Sequence, residues 1–184
     1  YTFDYEKQPS RAMFKYKQAF IRNDQERYMT FLNNVLQGKA TLHADNVAPY
    51  ELIRPYMTWN WNGPSLETMS KSEKDALNAS WASLLDFCSD EDMLAVVDTS
   101  GSMHSSYGLP AAVALSLGLY LAEHNKGRFR NHFIEFSERP QLIRLKGETF
   151  VDKLRYILTF DEIADTNLEA VFQLILCVAV KNKL

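Results

Sequence analysis

Residues 94–103 are Leu-Ala-Val-Val-Asp-Thr-Ser-Gly-Ser-Met. The apolar half predicts a buried β-strand over 93–97, and the polar half predicts a loop that begins at Asp98. Asp98, Ser100 and Ser102 alternate along the chain, so in an extended loop their side chains share one side and their oxygens converge. Mg²⁺ prefers oxygen ligands of this kind and usually keeps some positions for water or a ligand. The stretch therefore predicts a divalent-metal site.

The sequence around this stretch alternates strands and helices from residue 91 onward. Strands are predicted over 93–97, 132–136 and 141–145, and helices over 110–125, 150–158 and 168–180. Only a few residues separate the second and third strands, so we expect them to pair as an antiparallel hairpin. The pattern predicts an α/β fold with a mostly parallel sheet. Ligands bind beyond the carboxyl ends of the strands in such sheets, which is where Asp98 lies.

Residues 1–90 have a different pattern, typical of helices. Apolar residues at helical spacing predict two helices within 10–38, with a restart at Asn23 or Asp24 and an end at Gly38. A third helix is predicted over 72–87, after an irregular region at 39–71. We therefore predict two parts, a helical N-terminal segment at 1–90 and an α/β domain at 91–184.

Composition narrows the class of protein. The chain has 184 residues, 46% of them apolar, and a net charge of −3, so its overall charge gives no support to nonspecific nucleic-acid binding. Cys88 and Cys177 have no metal-binding or redox spacing, which favours reduced thiols in a cytoplasmic protein. The longest apolar run, at 109–121, is shorter than a bilayer-spanning helix, so no membrane partner is expected.

The Asp98-x-Ser100-x-Ser102 motif after an apolar strand, followed by a long helix, resembles the metal-ion-dependent adhesion site of von Willebrand factor A (vWA) domains. The resemblance implies that Ser100 and Ser102 bind Mg²⁺ or Mn²⁺ directly, and that Asp98 holds the ion directly or through water. It also implies a threonine from a second loop, for which Thr166 is well placed before the predicted helix at 168–180. A carboxylate from a partner protein would complete the coordination of the ion.

The family pattern also contains a last aspartate at the end of a further strand, and no residue before Leu184 is a candidate for it. The resemblance therefore implies that 91–184 is the first half of a Rossmann-like vWA domain, and we expect truncation or a longer protein. Without the later strands, the strand that carries Asp98 would be an exposed edge. Such an edge favours aggregation or a homo-oligomer.

A narrower resemblance covers nearly the whole chain. Residues 11–38, 49–53, 81, 136–141 and 168–179 look like an uncharacterised family with a C-terminal vWA-like domain, distantly akin to the Ro RNA-binding proteins. The resemblance implies an alternative function in which basic N-terminal helices contact RNA and the vWA part is a scaffold. The candidate RNA-binding residues are Arg11, Lys15, Lys17 and Arg22. An aromatic cluster of Tyr56, Trp59 and Trp61 either stacks on bases or packs in a core or interface.

The Asp98 loop has other interpretations besides metal binding. Asp and Ser routinely cap helices and turns, so a capped turn without an ion remains open for the whole motif, and Thr166 is equally an ordinary helix cap. A haloacid-dehalogenase-type phosphatase needs an acid where Ser100 stands, and an aspartic protease needs Asp-Thr-Gly, which Ser100 interrupts. No base is placed locally to activate a serine, and His104 is expected to face solvent. The prediction is a non-catalytic, metal-dependent binding module.

Overall fold

The structure, a computed structural model, describes residues 3–57, 63–160 and 165–182. This part of the chain is mainly helical α/β, with seven α-helices around a small three-stranded mixed sheet. The helices are α1 (Ser10–Asn23), α2 (Gln25–Leu36), α3 (Pro49–Ile53), α4 (Lys71–Ala82), α5 (Ser105–His124), α6 (Phe150–Ile157) and α7 (Leu168–Asn182). The strands are β1 (Ala95–Asp98), β2 (His132–Phe136) and β3 (Gln141–Arg144). Short 3₁₀ turns follow α3, β1 and α6 at Arg54–Tyr56, Gly101–His104 and Leu158–Phe160.

The N-terminal segment is helical, as predicted. Asp24 separates the two helices predicted within 10–38. Its φ is that of an extended residue, and its N–H donates to the Phe20 carbonyl. Gly38 follows α2 with φ of +69°, the left-handed conformation in which glycine commonly ends a helix. A small core of buried side chains, including Tyr5, Tyr28 and Leu32, joins this pair of helices to α4.

The third predicted helix is shorter than expected at its C-terminal end. Ser70 caps α4 through its hydroxyl, which accepts the Glu73 N–H, and the Glu73 carboxylate accepts the Ser70 N–H in return. The helix ends at Ala82 rather than near residue 87. The Tyr120 hydroxyl explains this end, since it donates to the Leu85 carbonyl at 2.5 Å and accepts the Phe87 N–H at 2.8 Å. These two bonds to α5 replace helical ones, a tertiary effect that local periodicity does not contain.

The sheet has the order β1-β2-β3. β1 and β2 are parallel, with Asp98 opposite Phe136 at their carboxyl ends. β2 and β3 are antiparallel, which confirms the predicted hairpin. The prediction of a mostly parallel sheet is wrong for the described residues, because one of the two pairings is antiparallel and the sheet is therefore mixed.

The two faces of β1 differ in burial. Val97 is 2% exposed and faces α5, where the backbone of Gly118 approaches it closely. Val96 points to the opposite face and is 44% exposed. The prediction of a buried strand is therefore wrong for this second face. The physical reason is that β1 lies at the edge of the described sheet, and α7 packs on the neighbouring strand β2.

Helix α5 is the central helix of the fold. Its regular part follows a left-handed turn at Ser106, Tyr107 and Gly108, so that Pro110 lies in the first helical turn as predicted. The described residues contain one segment, Gly101–His124, that is long and apolar enough to cross a membrane by length and composition. This segment is longer than the apolar run at 109–121, from which no membrane-spanning helix was expected. Half of its most apolar stretch is buried inside the protein.

The N-terminal segment and the α/β part share one hydrophobic core. Trp81 of α4 stacks on Phe150 of α6, with ring centroids 4.1 Å apart. The Trp81 indole N–H donates to Glu123 Oε2 at 2.6 Å, while Glu123 Oε1 accepts from Lys153 Nζ at 2.5 Å. The core and these polar contacts hold the first helices against the sheet, so the Asp98 edge is built on a scaffold from both halves of the chain.

Candidate functional site

The loop after β1 brings its oxygen atoms together. Ser100 donates its backbone N–H to Asp98 Oδ1 at 2.8 Å, and the Ser100 and Ser102 hydroxyl oxygens lie 3.2 Å apart. The intervening Thr99 is 1% exposed, whereas Ser102 is exposed. Alternate side chains of the loop thus point toward the protein and away from it. Two hydroxyls and one carboxylate are gathered at the carboxyl end of β1.

The spacing of the two hydroxyls suits a small divalent ion. Adjacent ligands of an octahedral Mg²⁺ at about 2.1 Å each lie roughly 3.0 Å apart, and the Ser100–Ser102 separation of 3.2 Å is close to that value. Asp98 accepts the Ser100 N–H through Oδ1, and a carboxylate has further lone pairs with which to bind an ion. Ser100, Ser102 and Asp98 therefore fit the donor set that Mg²⁺ or Mn²⁺ prefers.

The same geometry also fits the capped-turn alternative. An Asp side chain that accepts the N–H two residues later forms an Asx turn, which stabilises a loop without any ion. The 3₁₀ turn that follows is held by the Met103 N–H on the Ser100 carbonyl at 2.9 Å. The turn keeps the loop compact, and the hydroxyls converge whether or not an ion is bound.

Thr166 belongs to a segment that reaches the same edge of the sheet. The Asn167 N–H donates to the Ser137 carbonyl at 3.2 Å, and Ser137 directly follows Phe136, the partner of Asp98 across the sheet. The Asn167 side chain accepts the Ala170 N–H, so it is Asn167 that caps α7. Thr166 is exposed, and among the residues that the structure describes no hydrogen bond joins its side chain to the Asp98 loop. The structure thus brings the second loop to the β1–β2 edge without a direct contact from Thr166.

His104 lies differently from the sequence-based expectation. Its ring is half-buried, and Nε2 is 3.3 Å from the Thr99 carbonyl oxygen. The expectation of a solvent-facing imidazole is therefore wrong, because the 3₁₀ turn at Gly101–His104 folds the ring back onto the loop. The contact braces the loop and leaves the serine hydroxyls unengaged by the imidazole.

The end of β2 is a part of the site that the local sequence pattern did not indicate. Ser137 holds the second loop through its carbonyl, and its hydroxyl donates to Glu135 Oε2 at 2.9 Å. Only the topology could have indicated Ser137, because the residue that follows a strand parallel to β1 lies at the same sheet edge as Asp98. Tyr107 was missed as well. It lies just beyond the loop and is 83% exposed. Its backbone is left-handed, with φ of +55°, a conformation that residues other than glycine rarely adopt.

The described residues add no larger acidic or metal-binding group to the loop. Within 3–57, 63–160 and 165–182, no three His, Cys, Asp or Glu side chains come together in a way that could hold a metal ion. The two cysteines are free thiols, with Cys88 half-buried and Cys177 exposed. An ion at this edge would therefore depend on hydroxyls and one carboxylate, a set with little charge.

The candidate RNA-binding residues of α1 form little free basic surface. The Arg11 guanidinium forms a two-pronged contact with Glu51, at 3.2 and 3.4 Å. Lys17 is half-buried with its Nζ over the Phe14 ring, and burial lowers its pKa. Lys15 and Arg22 are exposed, and the acidic residues Asp24 and Glu26 closely follow Arg22 in the sequence.

The aromatic candidates divide between two regions. Tyr56 is half-buried against the core, and burial raises its pKa to about 12. Trp59 and Trp61 lie outside the described residues, so their expected stacking or packing role stays a prediction.

Comparison with known proteins identifies two families. A family described as a domain of unknown function (DUF2828) matches residues 1–94, and another described as a domain of unknown function (DUF7788) matches residues 92–184. Each match covers about half of the chain, and the chain belongs to both families. Neither description contains a fold, a ligand or an activity.

One curated relative comes from a virus. The uncharacterized protein L728 of Acanthamoeba polyphaga mimivirus is 29% identical over 194 residues, an alignment that covers 98% of this chain and 32% of the viral protein. The chain thus spans about a third of the length of the relative that it matches. No solved structure matches the chain.

Proposed function

We propose that this member of the DUF2828 and DUF7788 families is a non-catalytic binding module of the vWA type, which holds a ligand through a divalent metal ion. Ser100, Ser102 and Thr166 would hold Mg²⁺ or Mn²⁺, and Asp98 would hold the ion directly or through water. The observation that carries this proposal is the 3.2 Å separation of the Ser100 and Ser102 hydroxyl oxygens beside the Asp98 carboxylate.

The fold proposed with this function is the first half of a Rossmann-like vWA domain at 91–184, after a helical segment at 1–90. It is supported by the parallel β1–β2 pair, by α5 as the connection between the two strands, and by the position of Asp98 at their carboxyl edge. The segment before α7 reaches the same edge through Asn167 and Ser137. We propose a cytoplasmic location, for which the two free cysteines are the supporting feature.

The chemistry of the proposed site follows from its low charge. With one carboxylate and several neutral oxygens around it, a bound ion stays electrophilic and attracts a further anionic ligand. An Asp or Glu side chain of a partner protein has the right charge and size. The loop residues would hold the ion in place, while Tyr107 stands exposed beside it as contact surface for the partner.

A binding role is favoured over an enzymatic one by the surroundings of the two serines. A serine nucleophile needs a base within hydrogen-bond reach. The His104 ring contacts the Thr99 carbonyl instead of either serine hydroxyl, and Asp98 Oδ1 is engaged by a backbone N–H. The loop is arranged to present oxygens rather than to take up a proton from them.

The test is thermal unfolding in Mg²⁺ or Mn²⁺ compared with a metal-free buffer. An ion at ten times its Kd adds about 1.4 kcal/mol to the free energy of unfolding, a Tm rise of about 3–6 °C for a chain of this length. Asp98→Asn should remove this rise while keeping the Asx turn, because an amide oxygen still accepts the Ser100 N–H. Asp45→Ala, which removes an exposed carboxylate elsewhere, should keep the rise.

Two results would count against the proposal. A wild-type protein whose Tm is the same with and without either ion has no metal site of useful affinity. An equal rise in wild type and Asp98→Asn would place the ion elsewhere. Either result would leave the Asx turn as the sole role of Asp98.

The alternative proposal is a Ro-like RNA-binding protein whose N-terminal helices contact RNA. The exposed side chains of Lys15 and Arg22 are the feature that supports it. The Arg11–Glu51 ion pair and the half-buried Lys17 weigh against a broad basic surface, and we rank this function second.

A further inference from the structure

A cavity of about 230 Å³ lies between the C-terminal part of α7 and the strands β2 and β3, and we call it the β2–α7 cavity. The residues that line it are Arg128, Phe129, His132, Leu142, Val178 and Asn182. Two of these side chains are basic, three are apolar and none is acidic. Cavities that hold drug-sized ligands measure roughly 300–1,000 Å³, so this one suits a smaller molecule.

The β2–α7 cavity is separate from the Asp98 loop. His132 is the first residue of β2, whereas Asp98 is the last residue of β1, the parallel neighbour of β2. The cavity and the loop therefore lie at opposite ends of the sheet. The strands that would complete the proposed vWA fold pair with β1, on the opposite side of β2 from β3, so they extend the sheet away from this cavity.

Asp92 fixes the turn that carries Arg128. Its Oδ2 accepts the Arg128 N–H at 2.9 Å, and its Oδ1 accepts the Phe129 N–H at 3.3 Å and the Asn125 amide at 3.1 Å. In the described part of the chain, the Arg128 guanidinium forms no ion pair within 4 Å, with Asp92 or with any other carboxylate. The turn thus positions Arg128 through its backbone and leaves its side chain available to a ligand.

His132 has one ring nitrogen available as well. Its Nδ1 lies 2.8 Å from the Arg130 carbonyl oxygen, which only accepts hydrogen bonds, so Nδ1 carries a hydrogen and donates it. Among the residues that the structure describes, Nε2 has no hydrogen-bond partner. In the imidazolium form Nε2 is a second donor, which suits an anion.

Two further cations stand beside the cavity. Arg144 is directly opposite His132 in the antiparallel β2–β3 pair, so the two side chains lie on one face with Cβ atoms about 5 Å apart. Lys181 follows Val178 by three residues and therefore lies on the same side of α7. Both are exposed, and within the described ranges neither forms an ion pair. Positive charge is thus concentrated here although the whole chain has a net charge of −3.

We propose that the β2–α7 cavity binds a small phosphate ester. A phosphate group at pH 7 carries about −1.5 to −2 charges and has three acceptor oxygens, which match a guanidinium and an imidazolium better than the two oxygens of a carboxylate do. Arg128 and His132 hold the phosphate group. The apolar part of the ester lies against Phe129, Leu142 and Val178. This site is independent of the proposed metal site.

The first test is isothermal titration calorimetry with phenyl phosphate in metal-free buffer. We expect a Kd on the order of 0.1–1 mM for the wild type. Inorganic phosphate, which has no apolar part to bury, should bind roughly tenfold more weakly. Arg128→Gln should raise the Kd for phenyl phosphate at least about tenfold, because it removes a charged donor. The matched control Arg22→Gln removes an exposed arginine of α1 and should leave the Kd unchanged. Circular dichroism checks that each variant is folded.

A second variant separates the cavity from general surface charge. Val178→Phe fills part of the cavity without changing its charge, so it should weaken the binding of phenyl phosphate and leave that of inorganic phosphate unchanged. A wild type that does not bind phenyl phosphate at about 10 mM, or an Arg128→Gln variant that binds it equally well, would overturn the proposal. Equal affinity for the two probes would overturn the role of the cavity. A phosphotyrosine peptide that binds far more tightly than phenyl phosphate would overturn the small ester in favour of a phosphorylated protein.

Discussion

The contact between Gly118 and Val97 makes a sharp prediction about how α5 supports the Asp98 edge. A Cβ added at Gly118 would lie 2.3 Å from Val97 Cγ2, whereas carbon atoms in contact are normally about 3.5–4.0 Å apart. Val97 is 2% exposed and stiff at χ1, so relief requires β1 and α5 to move apart. Overpacking of this kind costs about 1–3 kcal/mol.

The net effect of Gly118→Ala combines that cost with the helix propensity of alanine. Replacing a mid-helix glycine by alanine contributes about 1 kcal/mol of stability. We therefore expect a net loss of about 1 kcal/mol in the free energy of unfolding, measured by urea denaturation followed by circular dichroism. On an exposed helix surface the same change would stabilise the protein, so the sign of the effect reports the contact with Val97.

A double-mutant cycle separates the contact from other effects. Val97→Ala alone should cost about 2 kcal/mol because it leaves a cavity in the core. Combined with Gly118→Ala, the new methyl group partly fills that cavity, and the double variant should lose about 1–2 kcal/mol less than the sum of the singles. A stabilised Gly118→Ala, or strictly additive losses, would refute the close packing of α5 on β1.

Two further predictions concern the N-terminal helices. Burial raises the pKa of Tyr28 to about 12, above its ordinary value near 10. The neutral phenol therefore contributes stability that is present below pH 10 and lost as the pH rises toward 12. Between pH 9 and pH 11 the wild type should lose about 1.4 kcal/mol more of its free energy of unfolding than Tyr28→Phe does, as measured by urea titrations. Parallel pH profiles of wild type and variant would contradict this. The RNA alternative predicts binding to structured RNA whose affinity falls steeply as the salt concentration rises. The double variant Lys15→Ala with Arg22→Ala should bind that RNA less tightly than the wild type. Undetectable binding at 50 mM salt would exclude it for this chain.

Most elements of the fold were predictable from local patterns. The helices α1 and α2, the turn at Gly38 and the β2–β3 hairpin each depend on residues that are close in the sequence. The end of α4 was not predictable, because the Tyr120 hydroxyl that draws Leu85 and Phe87 out of the helix comes from 33 or more residues away. The exposure of Val96 was misjudged for a similar reason, since it depends on which strand α7 covers.

The candidate site shows the same division. Alternation along 98–102 was enough to predict that the hydroxyls of Ser100 and Ser102 converge beside Asp98. The role of Ser137 and the inward position of the His104 ring depend on contacts that the local spacing does not contain. Thr166 was singled out by its position before α7, and the structure brings its segment to the carboxyl edge of β1 and β2 through the backbone of Asn167.

Local sequence patterns account for the elements of this protein and for the chemistry available at the end of β1, because apolar periodicity and the alternation of side chains are properties of neighbouring residues. The packing of distant segments sets how the halves share one core, which face of β1 is covered, and which apolar side chains of α7 stay in solvent. These features depend on which segments, distant in the sequence, pack against one another. Such packing is a property of the folded chain as a whole.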